Sequence, residues 1–136
     1  FIPDDYVEDL KQRLLFYKRF SMADTPADVH EIYEELQDRY GRAPEAVDAL
    51  KEIVLLKLSL RRMRAAKLEA AGSRVVIELR EDTKLDPDAV MELIREFGGI
   101  YSFKSDMRVF RKLQGAEKND LLAAAIRCVR ELEECL

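Results

Sequence analysis

An α+β fold, with an N-terminal group of helices joined to a small antiparallel β-sheet covered by two further helices, is predicted by three features of the sequence. The apolar residues of the first half recur at helical spacing. The period shortens to two at Val75, Ile77 and Leu79, which alternate with Glu78 and Arg80. Helix punctuation then returns at Asp86-Pro87 and at Asn119.

In chain order, Asp4 and Asp5 after Pro3 predict a first helix over residues 4–20 with Tyr6, Leu10, Leu14 and Tyr17 on its stripe. Thr25-Pro26 with Asp28 reads as a capping box, and Gly41 ends a second helix carrying Val29, Ile32, Tyr33, Leu36 and Tyr40. Pro44 opens a third helix that fades between Arg64 and Ala66. Ala71-Gly72-Ser73 turns a hairpin between Lys67–Ala70 and the Val75–Leu79 strand. A helix from Pro87 to Phe97 stops at Gly98-Gly99. Strands follow at Ile100–Phe103 and Arg108–Phe110, turning at Ser105-Asp106. The last helix places Leu121, Leu122, Ala125, Ile126, Val129 and Leu132 on one face. Residues 1–66 thus read as a helical part and 67–136 as a βαββα part, together one domain of a larger protein. The strand order does not follow from the sequence.

Composition bounds the function. With 37% charged residues, 48% hydrophobic residues and no apolar run near the ~20 residues of a spanning helix, the chain reads as soluble, without a membrane partner. It begins at Phe1 with no basic leader, apolar segment and cleavage site, so nothing directs export, and a cytoplasmic setting is expected. Cys128 and Cys135 lie seven residues apart on one helix, roughly 10 Å along its axis, which excludes a bridge and makes them reduced thiols. A net charge of −4 argues against a domain whose main task is neutralising phosphates.

Catalytic parts are missing. The five glycines sit at helix ends and turns, not in a phosphate cradle before a lysine. His30 is the one histidine, so neither a two-histidine metal site nor a Ser-His-Asp relay can be assembled, and it reads as an exposed helix residue. No enzyme activity, cofactor or metal is expected of this chain.

Two charge clusters stand out. Glu31, Glu34, Glu35 and Asp38 gather opposite the apolar stripe of the second helix, with Glu35 and Asp38 near its C-terminal end. That pole is already partly negative, so carboxylates there weaken the helix, and a pair at i and i+3 can meet an arginine of a partner. The alternative is a solvated face compensated by Arg39 and Arg42. Arg61, Arg62, Arg64 and Lys67 end the third helix, where the dipole favours cations without any ligand; a phosphate patch is the other reading.

Ile2-Pro3-Asp4-Asp5-Tyr6-Val7, with Asp9, Arg13, Tyr17, Lys18 and Arg19 after it, resembles the start of the C-terminal domain of bacterial transcription-repair coupling factors. Glu35-Leu36-Gln37-Asp38-Arg39-Tyr40-Gly41 with Pro44 resembles that family's acidic E-L-x-D-R-[FY]-G-x-x-P segment, and the Val75–Leu79 strand and closing Leu-rich helix follow in order. Arg64-Ala65-Ala66-Lys67-Leu68 departs from the family's glycine-containing turn, and Ala71-Gly72-Ser73 from a glycine pair.

The resemblance implies a parent that translocates on double-stranded DNA using ATP and Mg in motor domains outside this chain. It also implies that the parent binds a stalled RNA polymerase and recruits nucleotide excision repair through UvrA. This domain would pack on a UvrB-like domain of the same polypeptide and mask the UvrA-binding surface, with Glu35, Asp38 and Arg39 at the interdomain interface. The alternative is an accessory DNA-contacting domain using Arg61–Lys67, which would shift duplex DNA with a steep salt dependence.

Overall fold

Thr25 and Asp28 set the start of the best-defined helix of the first half: the Thr25 hydroxyl accepts from the Asp28 N–H at 3.2 Å while the Asp28 carboxylate accepts from the Thr25 N–H at 3.2 Å. In the computed structural model, which describes all 136 residues, this is α2, Pro26–Tyr40. It is preceded by α1 (Leu10–Met22) and followed by α3 (Glu45–Arg62). Then come β1 (Ala65–Ala71), β2 (Arg74–Leu79), α4 (Pro87–Glu96), β3 (Tyr101–Lys104), β4 (Arg108–Lys112), a 3-10 turn (Gly115–Asn119) and α5 (Leu121–Glu133). The chain forms two units, Phe1–Leu58 and Ser59–Leu136. The first holds thirteen acidic and eight basic residues, the second fourteen and fifteen.

In Phe1–Leu58 the core is Val7, Phe16, Phe20, Val29, Ile32, Leu36 and Val47, with Tyr6, Tyr17, Tyr33 and Tyr40 around it. The first helix starts later than the sequence suggests. The Tyr6 and Val7 N–H groups both donate to the Pro3 carbonyl at 3.2 Å, closing a turn. The Arg13 guanidinium then takes the Val7 and Glu8 carbonyls at 2.6 and 3.0 Å. Asp9, not Asp4 or Asp5, is the N-cap, accepting from the Lys11 N–H at 2.8 Å. Tyr6 therefore lies before the helix. Leu10 and Leu14, expected on the buried stripe, are 60% and 58% exposed, while Phe16 and Phe20 fill the core.

Tyr33 of α2 donates a short hydrogen bond to the Asp48 carboxylate of α3. That bond, with burial second, raises the Tyr33 pKa to about 12 from an ordinary 10.0. A raised folded-state value means the protonated phenol stabilises fully below the unfolded value and the benefit disappears as pH climbs through the folded one. Tyr33→Phe should therefore be less stable than the parent sequence below pH 10, the gap closing between about pH 10 and pH 12, as urea midpoints across that range will read out.

In Ser59–Leu136 the four strands form one antiparallel sheet in the order β1-β2-β4-β3. α5 packs against β1 and β2, α4 against β3 and α5, and Val75, Ile77, Leu79, Val109 and Tyr101 are buried between. This is the expected α+β arrangement. Strand β1 begins two residues earlier than expected, after Arg64 adopts a left-handed φ of 56° that terminates the helical path. Strand β4 runs to Lys112 rather than Phe110, which brings Arg111 inward beside Val109. The 3-10 turn is an element the sequence did not suggest. Cys128 and Cys135 are free and buried, and burial pushes the Cys128 thiol up to about 12. No helix is long and apolar enough to cross a membrane.

Candidate interaction surface at the end of the second helix

The C-terminal end of α2 is fixed by contacts within its own chain. Val29, Ile32 and Leu36 bury one face. Gly41 closes the helix at φ 87°, a backbone conformation that L side chains rarely adopt, and its N–H donates to the Gln37 carbonyl at 2.9 Å. The Tyr6 hydroxyl lies 2.7 Å from the Gly41 carbonyl oxygen and 3.2 Å from that of Leu36, where it supplies a donor to the carbonyl-rich helix end. The Ala43 N–H donates to Gln37 Oε1 at 3.3 Å. A rigid end is the result.

On this end Glu35 and Asp38 have different surroundings. The Arg19 Nη1 of α1 donates to Glu35 Oε2 at 2.5 Å, and Arg39 Nη1 lies 3.8 Å from the same oxygen. The hydrogen bond from Arg19 is the main reason the Glu35 pKa is lowered; partial burial opposes it, and the charges of Arg19 and Arg39 reinforce it. Both guanidinium groups sit over aromatic rings, Arg19 at 5.3 Å from the Phe16 centroid and Arg39 at 5.7 Å from Phe16 and 5.3 Å from Tyr40. Phe16 and Tyr40 meet edge to face at 6.2 Å and 79°.

Glu35 thus has a cation from within its own chain. Arg19, sixteen residues away, supplies one, a contact set by the packing of α1 on α2. Only Oε2 is engaged, and Oε1 of Glu35 makes no hydrogen bond. Asp38, one turn on, is exposed and has no cation within 4.0 Å. Glu31 and Glu34 are exposed on the same helix, as is His30.

The basic cluster at the end of α3 is largely neutralised. Arg62 pairs with Glu133 at 3.5 Å, Arg64 with Asp82 at 3.2 Å and Lys67 with Glu69 at 2.8 Å, leaving Arg61 without a carboxylate partner. The four belong to different elements: Arg61 and Arg62 end the helix, Arg64 is the left-handed residue after it and Lys67 is in β1.

Sequence reasoning missed a buried charge network in the second unit. Arg111, 2% exposed, donates from Nη1 and Nη2 to the two oxygens of Glu117 at 2.8 and 3.3 Å and from Nε to Glu131 at 3.0 Å. The Tyr101 hydroxyl donates to Glu131 at 2.7 Å, and the Gln114 N–H to Glu117 at 2.7 Å. No buried side-chain polar atom lacks a partner, and no group of three or more His, Cys, Asp or Glu is arranged to hold a metal. This network is fully satisfied and closed, so it ties the 3-10 turn and α5 to β4 rather than presenting reactive groups.

The family profile of the TRCF domain matches residues 1–90. A transcription-repair-coupling factor of Myxococcus xanthus is 44% identical over 98% of this chain, which covers 11% of that protein. That of Escherichia coli (strain K12) is 30% identical over 98% of this chain, covering 12% of the protein. A crystal structure of the C-terminal domain of transcription-repair coupling factor superposes with a TM-score of 0.79 over 99% of this chain and 87% of that one, at 21% identity, so the fold is shared. The chain thus spans about a ninth of the curated relatives it matches, and it belongs to the TRCF domain family.

Proposed function

We propose that this chain is a regulatory interaction domain of a larger transcription-coupled repair translocase. It docks through the end of α2 on a UvrB-like domain of the same polypeptide and masks the surface that receives UvrA. ATP and Mg, double-stranded DNA and RNA polymerase belong in this reading to parts of the parent outside this chain. The observation that carries it is the unequal pair at the helix end. Glu35 is oriented by Arg19 and Arg39 with Oε1 still open, and Asp38 stands beside the negative helix pole without a cation. An incoming guanidinium would find one carboxylate preorganised and one uncompensated, which favours a specific ion-paired contact over a diffuse one. Arg39 acts by orienting Glu35. Covalent linkage supplies a high effective concentration, so the contact can be weak and still predominantly closed.

Asp38→Lys separates this from a purely local role because Asp38 has no ion partner within the chain. A cation at that helix pole should stabilise the isolated chain by about 0.3–1 kcal/mol. In the intact parent the same substitution should raise UvrA affinity, by about tenfold or more if the closed state outweighs the open one by that factor. Greater stability of the isolated chain with unchanged UvrA binding in the parent would refute the masking role.

A further inference from the structure

Within Ser59–Leu136 the sheet has one face under α4 and α5 and an opposite face of different character. There Arg74 and Lys112 are direct cross-strand partners on β2 and β4, and Lys104 and Arg108 are direct partners on β3 and β4. Like charges directly opposed across an antiparallel ladder weaken it; the Lys104–Arg108 pair is offset by Glu78, opposite Arg108 on β2, and by Asp106, whereas the Arg74–Lys112 pair has no such offset. Arg74, Lys104 and Lys112 are exposed and have no carboxylate within 4.0 Å; Arg108 is paired with Asp106 at 2.7 Å and faces Glu78 of β2, and Glu69, paired with Lys67, lies on the same face, so cations outnumber carboxylates there without being alone.

Between the two pairs lies Phe110, opposite Val76 and Ser102. It is 6% exposed although it belongs to the open face, because cations roof it: Arg74 at 4.5 Å, Arg108 at 5.2 Å and Lys104 at 5.7 Å from the ring centroid. The ring's negative face holds like charges together in an array that their mutual repulsion would otherwise spread.

We infer that this face binds the phosphodiester backbone of nucleic acid. The charge is complementary, and the array is held by the strand register and the ring before a ligand arrives. An acidic protein surface is the weaker fit, since a protein interface needs an apolar anchor at its centre, and here the one large apolar side chain is already covered. The roofed ring also offers no platform to a base, so contact is made through phosphates and carries no sequence preference. These residues differ from the neutralised cluster at the end of α3 and lie outside α2, so the inference stands apart from the proposed masking contact.

The test is fluorescence anisotropy of the 136-residue chain with a labelled 20-base-pair duplex, and with one of its strands alone, between about 50 and 200 mM salt. The unaltered chain should bind at low salt. Lys104→Gln with Lys112→Gln should keep the thermal midpoint, weaken binding by about tenfold at 50 mM salt and flatten the log–log salt slope by roughly two charges' worth. Arg61→Gln should leave binding within about twofold. Binding of the duplex, of the single strand or of both supports the face if the double variant shows its loss. No binding at 50 mM salt, binding insensitive to the double variant, loss on Arg61→Gln, or tighter binding of polyglutamate than of either nucleic acid would each overturn it.

Discussion

Arg111→Met is expected to destabilise the Ser59–Leu136 unit by about 3–5 kcal/mol, the range for removing one partner of a buried ion pair. The loss comes less from the missing attraction than from the group left behind. Glu117 is 8% exposed, and without Arg111 its remaining partners are the Gln114 N–H at 2.7 Å and the exposed Arg127 at 3.4 Å. A domain of this size is typically stable by 5–15 kcal/mol, so the variant should show a measurable unfolded population at moderate urea. Replacing Arg111, Glu117 and Glu131 together by apolar residues should restore much of the loss, because no uncompensated charge then remains.

The pH dependence fixes the sign. In the parent sequence the hydrogen bond from Arg111 is the main reason the Glu117 pKa lies below its ordinary 4.5, with burial opposing it. A depressed folded-state value contributes stability above the unfolded value that is lost as pH falls through the folded one. Without the guanidinium, burial dominates, the Glu117 pKa rises, and protonation relieves the variant. The difference between parent and Arg111→Met should therefore shrink as pH falls from 7 through 4. A constant difference across that range would mean that Arg111 acts through packing alone.

The buried network is set by tertiary contacts, whereas most element boundaries are signalled locally in the sequence. The Thr25/Asp28 box, the Gly41 stop, the Asp86-Pro87 start and the Val75/Ile77/Leu79 alternation are local signals, and each marks an element close to where it was expected. Arg111 is in phase with Val109 and Leu113, and that alternation of inward positions was the available signal. It was lost because an arginine at such a position reads as the end of a strand. The first helix forms but starts at Asp9 rather than at Asp4 or Asp5, because the Pro3 turn and the Arg13 side chain hold the residues before it, and neither contact is a local capping signal. The Arg19–Glu35 pair depends on how two helices pack, which periodicity does not specify.

Phe16→Ala should cost the Phe1–Leu58 unit about 3–5 kcal/mol, since the side chain is 1% exposed and leaves a cavity between α1 and α2. Its companion, Phe16→Leu, isolates a second role. Leucine refills most of the volume but removes the π face over which Arg19 and Arg39 sit at 5.3 and 5.7 Å. If the ring is what orients the two guanidinium groups toward Glu35, the Glu35 carboxyl should titrate closer to its ordinary 4.5 in the Leu variant, as NMR of its side chain will show. Under the proposed masking role, UvrA binding by the intact parent should then rise, although Phe16 itself is buried and offers no surface to a partner. An unchanged Glu35 titration in a well-folded Leu variant would show that the packing of α1 on α2 alone holds Arg19 in place. The aromatic residue would then be a core residue and nothing more, and the proposed docking surface would rest on helix geometry rather than on the ring beneath it.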